Sequence, residues 1–186
     1  MPAFPELREA LSDGVVALRA FAERDIPEIL IAYQDDRGLH LSIGEARPPS
    51  GAELGRRAER AEAERAAGTH VRLTILERGS DICRGQLSVH GVDWDHARAE
   101  LGIWLAPQVR GQGVAGKSLR VASGWLLGPC GLERIQVLTE PDNEAMIGAA
   151  QAAGFLYEGV LRGYTREHGE RVDNTVLARV RADLRD

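Results

Sequence analysis

The stretch 101–116, LGIWLAPQVRGQGVAG, constrains the fold more than any other part of the chain. An apolar strand ends at a proline, a glycine-rich loop follows, and apolar residues at helical spacing then continue over 114–127. The backbone N–H groups of such a loop, together with the N-terminus of the helix after it, converge on one point and suit a phosphate group. The stretch therefore predicts a strand, a phosphate-binding loop and a helix in direct succession.

The part of the chain before this stretch predicts helices followed by an antiparallel sheet. Residues 1–13 are expected to be an N-terminal extension, and residues 14–186 a single domain. The first predicted elements are a strand (14–21), a helix (25–34), a loop (35–51) that is long enough to line a site, and a charged helix (52–67). Alternating apolar residues then predict three strands joined by short turns as a meander, at 70–77, 82–90 and 97–105.

The part after the glycine loop predicts one parallel crossover and a closing hairpin. Its elements are the helix 114–127, a strand (135–138), a short helix (143–153) and two strands (155–165 and 171–180). A strand, a helix and a second strand in this order imply a parallel pair, whereas short turns imply antiparallel neighbours. The predicted fold class is therefore α+β (mixed α/β).

Composition excludes several classes of partner. The net charge is −5 and the basic residues are dispersed, which argues against a nucleic-acid-binding surface. Cys83 and Cys130 lie far apart and outside any CxxC spacing, so neither a zinc site nor a disulfide framework is predicted. No signal peptide is recognisable, and no apolar run approaches the ~18 residues of a membrane span. We expect a cytoplasmic protein with no metal, nucleic-acid or membrane partner.

The glycine loop matches two phosphate-binding patterns. Residues 111–116 fit GxGxxG, which is typical of dinucleotide binding when it lies between a strand and a helix. That fingerprint also needs an acidic residue at the end of the next strand, and Glu140 comes a few positions too late. The chain supplies one parallel crossover, whereas a doubly wound sheet needs several. A nicotinamide enzyme is therefore the least favoured interpretation.

The second pattern is R/Q-x-x-G-x-G/A, which fits through Arg110, Gly113 and Ala115. In this register the loop resembles the pyrophosphate loop of the GNAT superfamily of N-acetyltransferases. The flanking motifs are ELGIWLAP (100–107), GLERI (131–135), PDNE (141–144), GF (154–155) and EGVLR (158–162). Together they resemble the ribosomal-protein-alanine N-acetyltransferase-like (RimJ/RimL-type) branch over residues 98–162.

This resemblance implies a fold and a set of acetyl-CoA contacts. The fold would be a mixed, mostly antiparallel sheet of about seven strands, with a V-shaped splay between the fourth and fifth strands and about four flanking helices. The acetyl-pantetheine arm would lie in the V, along the backbone of Ile103 and Leu105. The pyrophosphate would lie on Arg110, Gly111, Gln112, Gly113, Val114, Ala115 and Gly116. Asn143 matches an asparagine that contacts the cofactor, and its position equally suits a helix N-cap.

The implied reaction is acyl transfer from a thioester to an amine. An alkyl ammonium, with a pKa of about 10, must lose a proton before it can attack, so a base is required. Glu100 is the candidate, because the family commonly carries a glutamate on this strand; the alternative is a structural carboxylate. His96, Asp93 and Asp95 in the preceding turn are further candidates for lining the site.

A general acid for the departing thiolate is not evident. Many family members carry a tyrosine seven residues after the asparagine, or a serine three after it; Ala150 and Met146 occupy these positions. Three interpretations stay open. The thiolate takes a proton from water or a backbone donor, another group such as Tyr157 or Tyr164 supplies it, or the protein is weakly active or inactive.

The predicted function is an acetyl-CoA-dependent N-acetyltransferase that acts on a primary amine, by direct attack in a ternary complex. The acceptor is a protein N-terminus or a small molecule, and its walls are expected at 35–51 and 163–171. The alternative is an acyl-CoA-binding module with little or no transferase activity. The edge strands of the C-terminal hairpin would permit a homodimer.

Overall fold

The computed structural model describes residues 3–77, 79–167 and 169–185, and these form one sheet of eight strands with five α-helices. The strands are β1 (Leu11–Ser12), β2 (Ala17–Ala20), β3 (Val71–Leu76), β4 (Cys83–Asp93), β5 (Arg98–Leu105), β6 (Arg134–Thr139), β7 (Leu156–Glu167) and β8 (Glu170–Val180). The helices are α1 (Ile26–Asp35), α2 (Leu39–Ser42), α3 (Gly51–Ala66), α4 (Val114–Leu127) and α5 (Glu144–Ala152).

The sheet is mixed and mostly antiparallel, in the order β1-β2-β3-β4-β5-β6-β8-β7. Strands β3, β4 and β5 form the predicted meander. Strand β6 returns parallel to β5 after α4, which is the predicted crossover. The predicted fold class is confirmed, with eight strands where about seven were expected.

Strands β5 and β6 separate part-way along their length. Their register pairs Arg98 with Arg134, Ala99 with Ile135 and, last, Glu100 with Gln136. Residues 101–105 of β5 stay paired with β4, while residues 137–139 of β6 pair with β8. The gap between the two strands is the V-shaped splay that was predicted between the fourth and fifth strands.

Alternation along the strands builds two apolar cores on opposite faces of the sheet. Leu73, Leu87 and Leu101 are fully buried in the larger core, which also holds the apolar face of α4. The smaller core lies under α1, α2 and α3, and Trp104 packs against it. Because successive side chains of a strand point to opposite faces, β5 contributes to both cores and cannot shift register without exposing one of them.

The N-terminal segment, predicted to be an extension, contributes to the larger core. Phe4 is 1% exposed, and its ring centroid lies 5.2 Å from that of Trp94 and 6.0 Å from that of Trp125. Leu11 and Ser12 form β1, which accounts for the eighth strand. A two-residue strand is too short to show periodicity, so the sequence pattern did not reveal it.

The predicted loop 35–51 contains the short helix α2, anchored by the buried Leu39. Ser50 then caps α3: its hydroxyl accepts from Glu53 N–H, and the Glu53 carboxylate accepts from Ser50 N–H. This capping box explains the sharp start of α3 after two prolines. None of the described helices is both long and apolar enough to cross a membrane.

Candidate active site

A cleft of about 1400 Å³ extends from the point where β5 and β6 separate. Its walls come from α1, α2 and α3, the neighbouring faces of β3, β4, β5 and β6, the start of α4, and α5. All the predicted site residues line this cleft except Gln112, whose side-chain amide donates to Gln108 O at 2.9 Å. Tertiary structure therefore brings together residues that lie up to 43 positions apart, from Glu100 to Asn143.

The glycine loop (residues 110–116) presents free backbone donors to the cleft. Gly111 and Gly113 have φ values of +72° and +73°, a left-handed conformation that favours glycine. Among the described residues, the N–H groups of Gly111, Gln112 and Gly113 have no hydrogen-bond acceptor. The first turn of α4, which starts at Val114, adds further unpaired N–H groups. Converging unpaired N–H groups of this kind suit an anion with several acceptor oxygens.

Gly116 has a different role from the other glycines of the loop. A Cβ there would lie 3.0 Å from the carbonyl oxygen of Ala149 and 3.4 Å from the Cβ of Ala152. A side chain at this position would therefore push α5 away from α4. Gly116 allows the close helix contact that holds the two walls of the cleft together.

The guanidinium of Arg110 joins the two sides of the cleft. Its Nη2 lies 2.7 Å from Oδ2 of Asp36, and its Nε donates to the carbonyl oxygen of Leu105 at 2.9 Å. The hydrogen bond from Arg110 lowers the pKa of Asp36. A parallel contact runs from Gln108 Nε2 to Asp35 Oδ2 at 2.7 Å. The sequence interpretation missed both aspartates, because nothing in their local pattern indicates a partner more than 70 residues away.

Beyond residue 100, where β5 and β6 separate, one edge of the β5 backbone faces the gap between the two strands. Ala106 N–H donates to the Arg84 carbonyl on the β4 side, and backbone polar groups alternate sides along a strand. The peptide groups of Ile103 and Leu105 are therefore directed toward the gap. The Leu105 carbonyl is taken by Arg110, so Ile103 offers the more accessible acceptor and donor.

Asn143 is the N-cap of α5. Its Oδ1 accepts from the backbone N–H of Met146 at 3.1 Å, and the residue also lines the cleft. The N-cap interpretation is confirmed by this bond. The Oδ1 atom is committed to the helix, whereas the amide nitrogen has no bond to another described residue and could serve a ligand.

Glu100 lies at the apex of the V, on the last residue pair that joins β5 to β6. Its Oε2 accepts from Gln136 Nε2 at 3.4 Å, and its Oε1 lies 3.5 Å from Nε2 of His90 on β4. The side chain is 27% exposed and lines the cleft, so a molecule in the cleft could reach it. His90 and Gln136 escaped the sequence interpretation, although strand pairing places them directly beside Glu100.

The other candidates lie elsewhere. His96 bonds to Asp93 in the exposed β4–β5 turn, and neither residue lines the cleft, nor does Asp95. Tyr157 and Tyr164 are 54% and 51% exposed on β7 and are also outside the cleft lining.

The two positions that lack the family's acid differ in their surroundings. Met146 lines the cleft, whereas Ala150 is fully buried on the inner face of α5. Neither a methionine nor an alanine side chain can donate a proton to a leaving group.

The stretch 163–171 was predicted to form a wall for the acceptor. Its described residues do not line the cleft, and His168 lies outside the described residues.

The far side of the cleft is a helical wall formed by Tyr33, Asp36, Glu45 and Arg57. Arg57 Nη2 lies 2.7 Å from Glu45 Oε1, and burial, followed by the charge of Glu45, raises the pKa of Tyr33. The Tyr33 ring packs near Trp104, with centroids 6.1 Å apart. Asp36 and Glu45 belong to the loop 35–51, which was expected to line the site, whereas Tyr33 lies on α1 and Arg57 on α3.

Comparison with known proteins decides the family. A sequence profile of the acetyltransferase (GNAT) domain matches residues 16–156, which is most of the chain. The chain belongs to the GNAT acetyltransferase domain family. Among curated proteins, this GNAT chain is 30% identical over 111 residues to the uncharacterised N-acetyltransferase YoaA of Bacillus subtilis (strain 168). That match covers 60% of this chain and 63% of the relative, so the chain spans less than two thirds of the relative's length.

Solved structures with the same fold include GNAT-type ribosomal-protein acetyltransferases. RimJ of Mycobacterium smegmatis, in complex with a CoA disulfide, aligns with a TM-score of 0.85 at 22% identity, covering 98% of this chain and 92% of that one. RimL, a ribosomal L7/L12 alpha-N-protein acetyltransferase in complex with coenzyme A, aligns with a TM-score of 0.81 at 20% identity, covering 92% and 98%. These similarities establish the GNAT fold of the described residues.

Proposed function

We propose that this protein is an acetyl-CoA-dependent N-acetyltransferase that acts on a primary amine, either a protein N-terminus or a small molecule. The observation that carries the proposal is the splay of β5 and β6. The splay leaves a cleft with Glu100 at its apex and, along its wall, a glycine loop whose N–H groups are unpaired. The coenzyme A complexes of RimJ and RimL support a CoA thioester as the acyl donor.

The donor's contacts follow from the free backbone groups. The pyrophosphate would accept from the N–H groups of the glycine loop and of the first turn of α4, where Gly111 and Gly113 carry no Cβ to obstruct it. The pantetheine amides would bond to the gap-facing backbone of Ile103, with the Asn143 amide nitrogen as a further donor. The thioester would then lie near the apex, within the same cleft as Glu100.

The proton balance assigns a task to Glu100. The acceptor arrives as an ammonium ion, and Glu100 takes one proton from it, directly or through water. The neutral nitrogen attacks the thioester carbonyl, the C–S bond breaks, and the nitrogen's second proton passes through water to the departing thiolate as the amide forms. The thiolate is a moderate leaving group, because an ordinary thiol has a pKa of about 8.5. A proton from water therefore suffices, which agrees with the absence of an acid at Ala150 and Met146.

A second candidate function is an acyl-CoA-binding module with little or no transferase activity. The observation in its favour is the lack of an acidic side chain at Met146, which lines the cleft where a proton donor would stand. The two candidates differ in turnover and not in acyl-CoA binding, so binding alone does not distinguish them.

Calorimetry with acetyl-CoA tests the shared prediction. No binding at millimolar acetyl-CoA would contradict both candidates. Thiol release with a panel of amines and N-terminal peptides then separates them, since acetylation of any amine supports the transferase and binding without acetylation supports the module. Glu100→Gln should lower kcat about 100-fold at neutral pH with an unchanged Kd for acetyl-CoA. An unaltered pH–rate profile in that variant would remove Glu100 from the mechanism.

A further inference from the structure

His90 is paired with Glu100 across β4 and β5, and it approaches that residue with both ring nitrogens. Nδ1 lies 3.0 Å from the Glu100 carbonyl oxygen, and Nε2 lies 3.5 Å from the carboxylate Oε1. The other carboxylate oxygen accepts from Gln136 at 3.4 Å. Each oxygen of the Glu100 carboxylate therefore faces one specific side chain, and all three groups belong to strands rather than loops.

The contact with the carbonyl determines where the imidazole carries its proton. A carbonyl oxygen only accepts hydrogen bonds, so Nδ1 must be the protonated nitrogen of a neutral His90 ring. The lone pair of Nε2 then faces the carboxylate Oε1 without a hydrogen between the two atoms. A proton placed between them satisfies both, so the pair has room for one additional proton.

Among the described residues, Glu100 is the one acidic side chain within ion-pair distance of the His90 ring. His70, which precedes β3, has its ring centroid 6.3 Å from that of His90. Burial, followed by the charge of Arg72, lowers the pKa of His70 to about 4, so His70 is neutral near pH 7. Both rings and Glu100 line the cleft, and Glu100 is the charged group that lies directly against the His90 ring.

We propose that His90 is a positioning residue for Glu100, and that the two side chains jointly accept the proton of the acceptor ammonium. This inference rests on the proposed transferase function. Glu100 contacts the ammonium and removes the proton, which then lies between Oε1 and His90 Nε2 before it leaves to solvent through the cleft. No bond other than the N–H bond of the ammonium breaks in this step. In that position the proton bonds to the lone pair of Nε2 and lies beside the carboxylate, so the two atoms no longer face each other without a hydrogen between them.

A double-mutant cycle in kcat tests the joint action. In His90→Asn, the asparagine amide can place an N–H where Nδ1 of His90 lies, but it has no atom that reaches Oε1 of Glu100. We expect it to lower kcat about tenfold, with an unchanged Kd for acetyl-CoA and a shifted lower limb of the kcat–pH profile. Because residues that act as one unit are not additive, His90→Asn/Glu100→Gln should be about as impaired as Glu100→Gln alone. Effects that multiply in the double variant, or a kcat that is unchanged in His90→Asn, would overturn the proposal.

His96→Asn is the matched control, because this exposed histidine bonds to Asp93 on the same hairpin and lies outside the cleft. It should retain the wild-type kcat and pH profile. Melting curves with acetyl-CoA identify any variant that fails to fold; for such a variant, His90→Gln replaces His90→Asn and must likewise lower kcat.

A spectroscopic measurement tests the geometry without activity. At alkaline pH, ¹⁵N spectra of the wild-type imidazoles should show His90, assigned by its loss in His90→Asn, as the Nδ1–H tautomer. An Nε2–H tautomer contradicts the pairing whatever the activity of the enzyme. Failure of the proposed transferase function would look different from failure of the His90 proposal, because the wild-type protein would then acetylate no amine in the panel.

Discussion

Arg110 and Asp36 join the glycine loop to the helical wall, with 2.7 Å between Nη2 and Oδ2. The same guanidinium holds the carbonyl oxygen of Leu105, so one side chain connects the end of β5, the glycine loop and the α1–α2 connection. The family resemblance assigned Arg110 to the pyrophosphate. In the structure a carboxylate already occupies it, so a bound pyrophosphate would compete with Asp36 for the same donors.

This competition predicts that Asp36→Asn binds acetyl-CoA more tightly than the wild type, by about 1.4- to fivefold, because a partly exposed ion pair contributes about 0.2–1 kcal/mol. Calorimetry measures the Kd, and the gain should shrink at high salt. Glu133→Gln is the control, since it removes an exposed pair with Arg181 outside the cleft. A weaker Kd in Asp36→Asn would instead indicate that the tie to Asp36 is needed to shape the site.

The glycine loop predicts a specific loss at Gly113. Gly113→Ala forces a side chain into the left-handed conformation, at a cost of about 1–2 kcal/mol, and places a methyl group where the phosphate is expected. We expect a loss of stability of that size and a Kd for acetyl-CoA at least about tenfold weaker. Gly14→Ala is the matched control. Gly14 has a φ of +84°, and an added Cβ there would also meet open space, but the residue lies in the β1–β2 turn. Equal Kd values in the two variants would argue against phosphate binding at the loop.

Burial of His70 predicts a loss of stability on acidification. The native state keeps His70 neutral down to a pKa of about 4, while the unfolded chain takes up the proton near pH 6.5. Between these values the unfolded state binds more protons, so the free energy of unfolding falls as the pH is lowered. Urea titrations at pH 7.5 and pH 5 measure the free energy of unfolding. Over this range, His70→Gln should lose about 1–2 kcal/mol less of that free energy than the wild type does. Parallel losses in the two proteins would show that His70 titrates normally in the native state.

The two cysteines should be unreactive in the native protein. Cys83 and Cys130 are free and buried, and desolvation raises the pKa of each thiol to about 12. Since only the thiolate reacts, labelling with a thiol reagent at pH 8 should be at least about 100-fold slower in the native state than in urea. Labelling of Cys130→Ser reports the rate of Cys83 alone, and the difference from the wild type gives the rate of Cys130. Rapid stoichiometric labelling of the native protein would contradict the burial of these residues.

Local sequence pattern predicts a helix, strand or loop when all the residues that indicate it lie close together in the sequence. The helix 114–127 was predicted with the bounds that the structure shows, because its apolar spacing, its glycine start and its glycine end all lie together. The meander, the parallel crossover and the glycine loop were predicted for the same reason, and the N-cap at Asn143 follows from its position before a helix. The two-residue strand β1 and the packing of Phe4 against Trp94 carried no periodic signal.

The sequence by itself determined the succession of strand, glycine loop and helix over 101–127. An apolar strand, glycines that can adopt a positive φ, and apolar residues at helical spacing each act locally. Tertiary structure alone decided which distant groups meet those residues. Strand pairing sets His90 and Gln136 against Glu100, and loop packing brings Asp36 to Arg110. Local spacing encodes neighbours within a few residues, whereas these contacts join positions 10 to 74 residues apart and depend on the register of the whole sheet.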